Sequence, residues 1–329
     1  LNINPRAGRM KSASLPNKVI VKAPATTANL GPGFDVFGMA LEQPSDKVTI
    51  IPIPKDIKIK VSGLAADTIP TDPEKNTAGV VAKHILQEFS LKTGLMIKLE
   101  KGILPSVGLG SSAASAAAVA FGLNRLFSLK LDHKQLIQLA AKGEIASAGF
   151  EHADNVSAAI YGDFIIIKSY RPLEVIHLET PPNLGICIAI PEVSTSPKKT
   201  EKARSVLPKT VSMEKLVHNV GHAATMAAGF ATGDVDLIGK SMSDAIVEPA
   251  RAFMIPGYQK VKERTLKAGA CGAAISGAGP ALIAIVNSNN TDTSRVAEAM
   301  EEGFKSAGVN ADTFCTRPGK GVSLLEVKE

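Results

Sequence analysis

At 329 residues the chain exceeds one ordinary core and suits two domains of about 150 residues each. Aromatic residues make up only 4% and tryptophan is absent, so binding nucleic acid by base stacking lacks its platforms. The net charge of +6 is scattered, and its densest stretch, residues 197–204, is a short mixed run that reads as solvated surface.

Residues 1–18 carry four basic and no acidic side chains without the apolar stretch of a secretory signal, and read as a disordered tail. The folded part is expected to begin at Val19, with a short strand over 19–24 that runs into a Gly/Pro/Asn-rich loop over 25–35. Residues 47–53 and 57–61 alternate apolar and polar, as half-buried strands do. Asn76 is placed to cap a helix reaching about Phe89, and a strand over 95–99 leads into a loop over 101–110. An unusually small-sided helix is predicted over 111–127, and Asp132 caps the next, which reaches about Ser147. A polar stretch over 151–155 precedes an apolar strand over 164–168. Residues 170–174, with Pro172, read as the connection between halves, dividing 19–172 from 173–329.

Beyond it, strands are predicted over 184–190, 270–276, 281–286 and 322–327, and helices over 198–206, 213–231, 235–243, 258–268 and 293–307. Long helices among separated strands predict an α+β architecture. No run of about 18 apolar residues marks a membrane span. Cys187, Cys271 and Cys315 are far apart, lack metal-ligand spacing and read as buried thiols of a reducing cytoplasm.

The strongest chemical signal is the loop Pro105, Ser106, Val107, Gly108, Leu109, Gly110, Ser111, Ser112, Ala113, Ala114 and Ser115. Two glycines let the backbone turn sharply and come close to a ligand. The chain then enters a helix whose first amides are unpaired and whose dipole is positive at that end, so the segment suits phosphate, with Ser111 and Ser112 offering hydroxyls. The plainer reading is a tight loop before a helix that packs closely on a sheet, and both can hold together. The Lys-Ser/Thr pair of the common P-loop and the three-glycine dinucleotide spacing are both missing.

A second cluster is Ala23 to Asp35, where Gly31, Pro32 and Gly33 fix a turn that can aim Asn29 and Asp35 at one pocket. A carboxylate suits an ammonium group and an Asn amide suits a hydroxyl, although such a turn can also satisfy its own backbone. His152-Ala153-Asp154-Asn155 reads alone as a polar loop. Arg204 and Arg251 offer planar forks that fit a carboxylate or phosphate, although most arginines are surface residues. Ser276 to Pro280 is a Gly-rich turn between two apolar strands.

The glycine loop resembles the nucleotide-binding motif of the GHMP kinases. The strings ANLGPGFD, HADN, TEKAR and EPAR together resemble the homoserine kinases within that family, over roughly residues 19–327. The family has a proline four positions before the first loop glycine; here Leu104 stands there and Pro105 follows, so the chain is expected to approach the loop slightly differently.

The resemblance implies an N-terminal α/β domain like domain 2 of ribosomal protein S5 and a C-terminal ferredoxin-like domain, with the substrates in the cleft between. It implies transfer of the ATP γ-phosphate to the side-chain hydroxyl of L-homoserine, a step of threonine biosynthesis. By the same resemblance residues 105–115 hold ATP, and Ser112 and Glu144 hold Mg²⁺. The amino acid falls to Asn29, Asp35, His152, Asn155, Thr200, Arg204 and Arg251. Asp35 would take its ammonium, Arg204 and Arg251 its carboxylate, and Asn29 and Asn155 its hydroxyl, which makes Asn155, Arg204 and Asn29 the catalytic candidates. The aspartate given a catalytic role in galactokinase and mevalonate kinase has no counterpart in homoserine kinases. A homodimer in the cytoplasm is the expected form.

Overall fold

The computed structural model describes residues 16–148, 153–193 and 199–328. β1 (Lys18–Asn29) and β2 (Gly33–Ile53) pair antiparallel through the segment expected as a loop, leaving a turn in which Leu30 and Gly31 have φ of 49° and 88°. β3 (Ile57–Gly63) runs parallel to β4 (Gly94–Lys101), and the crossover between them carries α1 (Thr77–Glu88). Asn76 caps α1 as expected, its Oδ1 accepting from the Ala78 amide at 2.9 Å.

α2 (Ser111–Leu126) lies flat on β1 and β2, because alanines and Gly122 hold its axis close to the sheet. A Cβ on Gly122 would meet the Ile50 side chain at 2.6 Å and Val21 at 3.3 Å. α3 (His133–Ala148) and α4 (Asp154–Tyr161) complete the helical layer. α4 was not expected; Asp154 and Asn155, read as a polar loop, form its first turn.

β5 (Phe164–Tyr170) pairs with β2 and turns back into β6 (Leu173–Leu178), so the first sheet continues past the expected 172/173 division. β7 (Leu184–Pro191) begins the second sheet. It is followed by α5 (Lys199–Ser205), α6 (Met213–Thr232), α7 (Val235–Lys240), α8 (Val247–Arg251) and α9 (Tyr258–Lys267). The chain ends with β8 (Gly272–Ile275), β9 (Leu282–Asn287), α10 (Thr293–Lys305), β10 (Ala311–Thr316) and β11 (Ser323–Lys328). β10 was not expected, since Asp312 and Thr313 break its apolar pattern.

The second sheet has the order β10-β7-β9-β8 with every pairing antiparallel. Numbered along the chain that is 4-1-3-2, a ferredoxin-like arrangement. Alternation on β7 sends Ile186 and Ile188 into the core shared with α6 and α7, and Cys187 and Ala189 into a smaller core with α9 and α10. The first sheet runs β11-β1-β2-β4-β3, with β5 on β2 and β6 on β5, so the last strand returns to pair with the first. Phe230 of α6 stacks on Phe164 of β5, with ring centroids 3.7 Å apart, and ties the two layers together. Among the described residues no helix is long and apolar enough to cross a membrane.

Ala117 of α2 is completely buried. Ala117→Leu should destabilise the fold by about 1–3 kcal/mol through overpacking, seen as a lower urea midpoint. An unchanged midpoint would mean that the helix does not depend on close approach to the sheet.

Candidate active site

A cleft of about 970 Å³ opens between the layers. It brings together Asn29, Asp35, the loop from Pro105 to Ala113, Ser115, Glu144, Asn155, Thr200, Arg204 and Arg251. Ala114 is buried behind the loop, its amide donating to the Gly110 carbonyl at 2.9 Å. His152 lies outside the described residues.

Loop geometry explains the glycines. Gly108 has φ of 95°, and a Cβ there would run into the Ser276 carbonyl. Gly110, with φ of 63°, is the residue before α2, and a Cβ on it would run into the Thr26 hydroxyl. Among the described residues no side chain caps α2, so its opening amides can serve a ligand. The turn expected at Ser276 to Pro280 lies against this loop: Ser276 Oγ donates to the Gly108 carbonyl at 2.7 Å, and the Ala281 amide donates to the Val107 carbonyl at 3.0 Å.

Behind the loop a buried ion pair, Lys101 with Asp46, anchors it to the sheet. Lys101 Nζ also donates to the Ser111 carbonyl at 2.9 Å and to Ser115 Oγ at 3.0 Å. Asp46 Oδ1 accepts from the Gly102 and Ile103 amides, each at 3.0 Å. Burial works against both charges, raising the Asp46 pKa and lowering that of Lys101. Ser111 Oγ donates to the Ile103 carbonyl at 3.0 Å, so this hydroxyl builds the loop, whereas the sequence had offered it to a ligand.

Ser112 is arranged differently. Its Oγ donates to Glu144 Oε2 at 3.1 Å at the edge of the cleft. Burial, assisted by Asp154, pushes the Glu144 carboxyl up to about 7, a cost that a bound cation would relieve. One carboxylate and one hydroxyl beside a phosphate site fit Mg²⁺, which keeps several of its waters. Among the described residues no three His, Cys, Asp or Glu side chains converge as a full protein cage.

On the other side of the cleft, Asp35 Oδ2 pairs with Arg204 Nη2 at 2.5 Å. Asn29 sets Asp35 in place: its Oδ1 accepts from the Asp35 amide at 3.1 Å, and its Nδ2 donates to the Gly277 carbonyl at 2.8 Å. Asn29 thus satisfies backbone groups with both ends of its amide, the plainer reading of the turn, and in doing so fixes the wall on which Asp35 stands. Tyr170 Oη donates to the Asp35 carbonyl at 2.7 Å, and burial raises its pKa. Arg251 is buried; its Nε donates to the Ala203 carbonyl at 2.9 Å and its Nη1 to Gly277 at 3.2 Å. Burial pushes its pKa down to about 10. The Phe34 ring has the guanidinium carbons of Arg204 and Arg251 each 5.2 Å from its centroid, a cation–π contact that sets the two forks side by side. Asn155 Oδ1 accepts from Thr26 Oγ1 at 2.8 Å, while its backbone amide and Nδ2 donate to Asp154 Oδ1.

Residues 76–163 match the model of the GHMP kinases N terminal domain, and 226–306 match GHMP kinases C terminal. A homoserine kinase from Methanococcus vannielii is 46% identical over 314 residues, covering 94% of this chain and 99% of that protein. One from Halorubrum lacusprofundi is 42% identical over 308 residues, covering 94% and 99%. The chain belongs to the homoserine kinases of the GHMP family. The crystal structure of homoserine kinase from Cytophaga hutchinsonii superposes with a TM-score of 0.88 at 36% identity, covering 96% of this chain and all of that one.

Within this homoserine kinase family member, the sequence motifs missed Phe34, Tyr170, Lys199 and the Lys101–Asp46 pair. Phe34 stands between two residues that were singled out, and Lys199 lies in the run read as surface. They also missed how Arg251 is held. Asp244 caps α8 by accepting from the amides of Ile246, Val247 and Glu248. Glu248 is buried, receives the Tyr258 hydroxyl, and pairs with Lys262 at 3.0 Å.

Burial raises the Glu248 pKa from the usual 4.5 to about 7. The folded state therefore keeps a proton that the unfolded chain has lost, and this group's contribution to stability falls as pH rises from 4.5 through 7. Glu248→Gln should flatten that fall by a few kcal/mol, measured as urea stability of variant against wild type at pH 5 and pH 8. Parallel pH profiles would contradict the assignment.

Proposed function

We propose that this cleft transfers the γ-phosphoryl group of ATP to the side-chain hydroxyl of L-homoserine, giving O-phospho-L-homoserine for threonine biosynthesis. The carrying observation is that the glycine loop and the Asp35, Arg204 and Arg251 cluster face one cleft. Such a cleft fits a polyanion at one end and an amino-acid zwitterion at the other. Phosphoryl transfer needs chiefly positioning and stabilisation of charge, which this site can supply.

In this reading the amides of the loop and the start of α2 hold the phosphates. Ser112 and Glu144 would hold Mg²⁺, which neutralises phosphate charge when bound. Asp35 takes the substrate ammonium, and Arg204 turns from Asp35 to join Arg251 on the carboxylate. Asn155 orients the hydroxyl, with Asn29 fixing the pocket wall. Thr200 stands near the transferred group, and the resemblance alone assigns His152 to the amino-acid pocket. Asp154 Oδ1 already receives two bonds from Asn155, so no dedicated base is invoked and the hydroxyl proton passes to phosphate or water. We place the reaction in the cytoplasm. We assign the enzyme as a homodimer, for which exposed Met213, Val217 and Val220 along one side of α6 offer apolar surface.

ADP release should be fastest with L-homoserine in a panel with L-serine, L-threonine, mevalonate and galactose. Turnover of mevalonate or galactose alone would overturn the pocket assignment. Asn155→Ala should lower kcat by roughly a hundredfold if the residue orients the hydroxyl, and an unchanged kcat would remove it from that role.

A further inference from the structure

The phosphate loop is short of positive charge. Residues 105–115 contain no Lys or Arg, and the nearest lysine behind them, Lys101, is bound to Asp46 and to oxygen atoms of Ser111 and Ser115. Amides and hydroxyls can cradle phosphate, but a nucleoside triphosphate whose terminal group is leaving gathers charge that a cation stabilises best.

Lys199 supplies the missing charge. It is the first residue of α5, lines the same cleft, and precedes Thr200. Its Nζ donates to the Ser106 carbonyl of the loop at 3.0 Å. Among the described residues no carboxylate offsets this ammonium: burial and then the Arg251 cation act on it, and together they push its pKa down to about 7. An ammonium resting on a neutral carbonyl, with another cation as its charged neighbour, gains strongly from an anion placed beside it.

We propose that Lys199 bonds the terminal phosphate of the bound nucleoside triphosphate, exchanging the Ser106 carbonyl for a phosphate oxygen, and stabilises the charge of the transferring group. The proposal rests on the kinase reading above and concerns its nucleotide end. It predicts that Lys199 distinguishes triphosphate from diphosphate, which a purely structural contact to the loop would not do.

The test is calorimetric titration of Lys199→Met and Lys199→Arg with MgATP and MgADP, together with steady-state kinetics on L-homoserine. K199M should bind MgATP about ten- to a hundredfold more weakly, bind MgADP within about twofold of wild type, and lose kcat. K199R should recover much of the MgATP affinity. Equal weakening towards both nucleotides, or unchanged MgATP binding in K199M, overturns the proposal. Failure of the kinase reading itself would show separately, as a wild-type enzyme that binds MgATP without phosphorylating L-homoserine.

Discussion

The Gly277 backbone accepts from Asn29 Nδ2 and Arg251 Nη1 through its carbonyl, and its amide donates to the Ala28 carbonyl at 3.1 Å. One residue away, Ser276 Oγ donates to the Gly108 carbonyl and accepts from the Thr27 hydroxyl, with the two oxygens 2.9 Å apart. This junction joins the end of β1, the phosphate loop and α8 to the turn between β8 and β9. Apart from the Arg251 contact, each bond fixes a backbone or a short side chain, so the distance from the glycine loop to the wall that carries Asp35 is set by covalent geometry more than by flexible side chains. Gly108 is tied to this constraint, since a side chain there would push the two layers apart at their contact.

Small residues and buried charges divide the remaining work. The alanines of α2 bring its start close to the first sheet, and the Lys101–Asp46 pair holds the chain that feeds it. Removing one partner of such a pair strands a buried charge, which is far costlier than replacing both. On the opposite wall, the Asp35–Arg204 pair keeps two groups of opposite charge together in the cleft. A ligand that carries both charges can satisfy each of them as it separates the pair.

Local chemistry was legible in the sequence and distant pairing was not. Asn76 and Asp132 announced helix starts because a side-chain cap acts within three residues; Asp132 Oδ1 accepts from the Gln135 amide at 2.8 Å. The glycine loop was legible because positive φ and close approach demand the residue type itself. The Lys101–Asp46 bond joins positions 55 apart and leaves no periodic trace, and the partner of β11 lies at the other end of the chain. Arg251 could be told from a surface arginine by family resemblance but not by pattern, since its burial depends on Ala203 and Gly277. Lys199 was hidden in a charged run that composition assigns to solvent.

The most direct test is a crystal structure with Mg²⁺, a non-hydrolysable ATP analogue and L-homoserine bound together. The account predicts the phosphates against Gly108 to Ser112, the substrate hydroxyl within hydrogen-bond reach of Asn155 and aimed at the terminal phosphate, and the ammonium on Asp35 with Arg204 moved to the carboxylate. An amino acid bound elsewhere, or bound here with the Asp35–Arg204 pair intact, would contradict it.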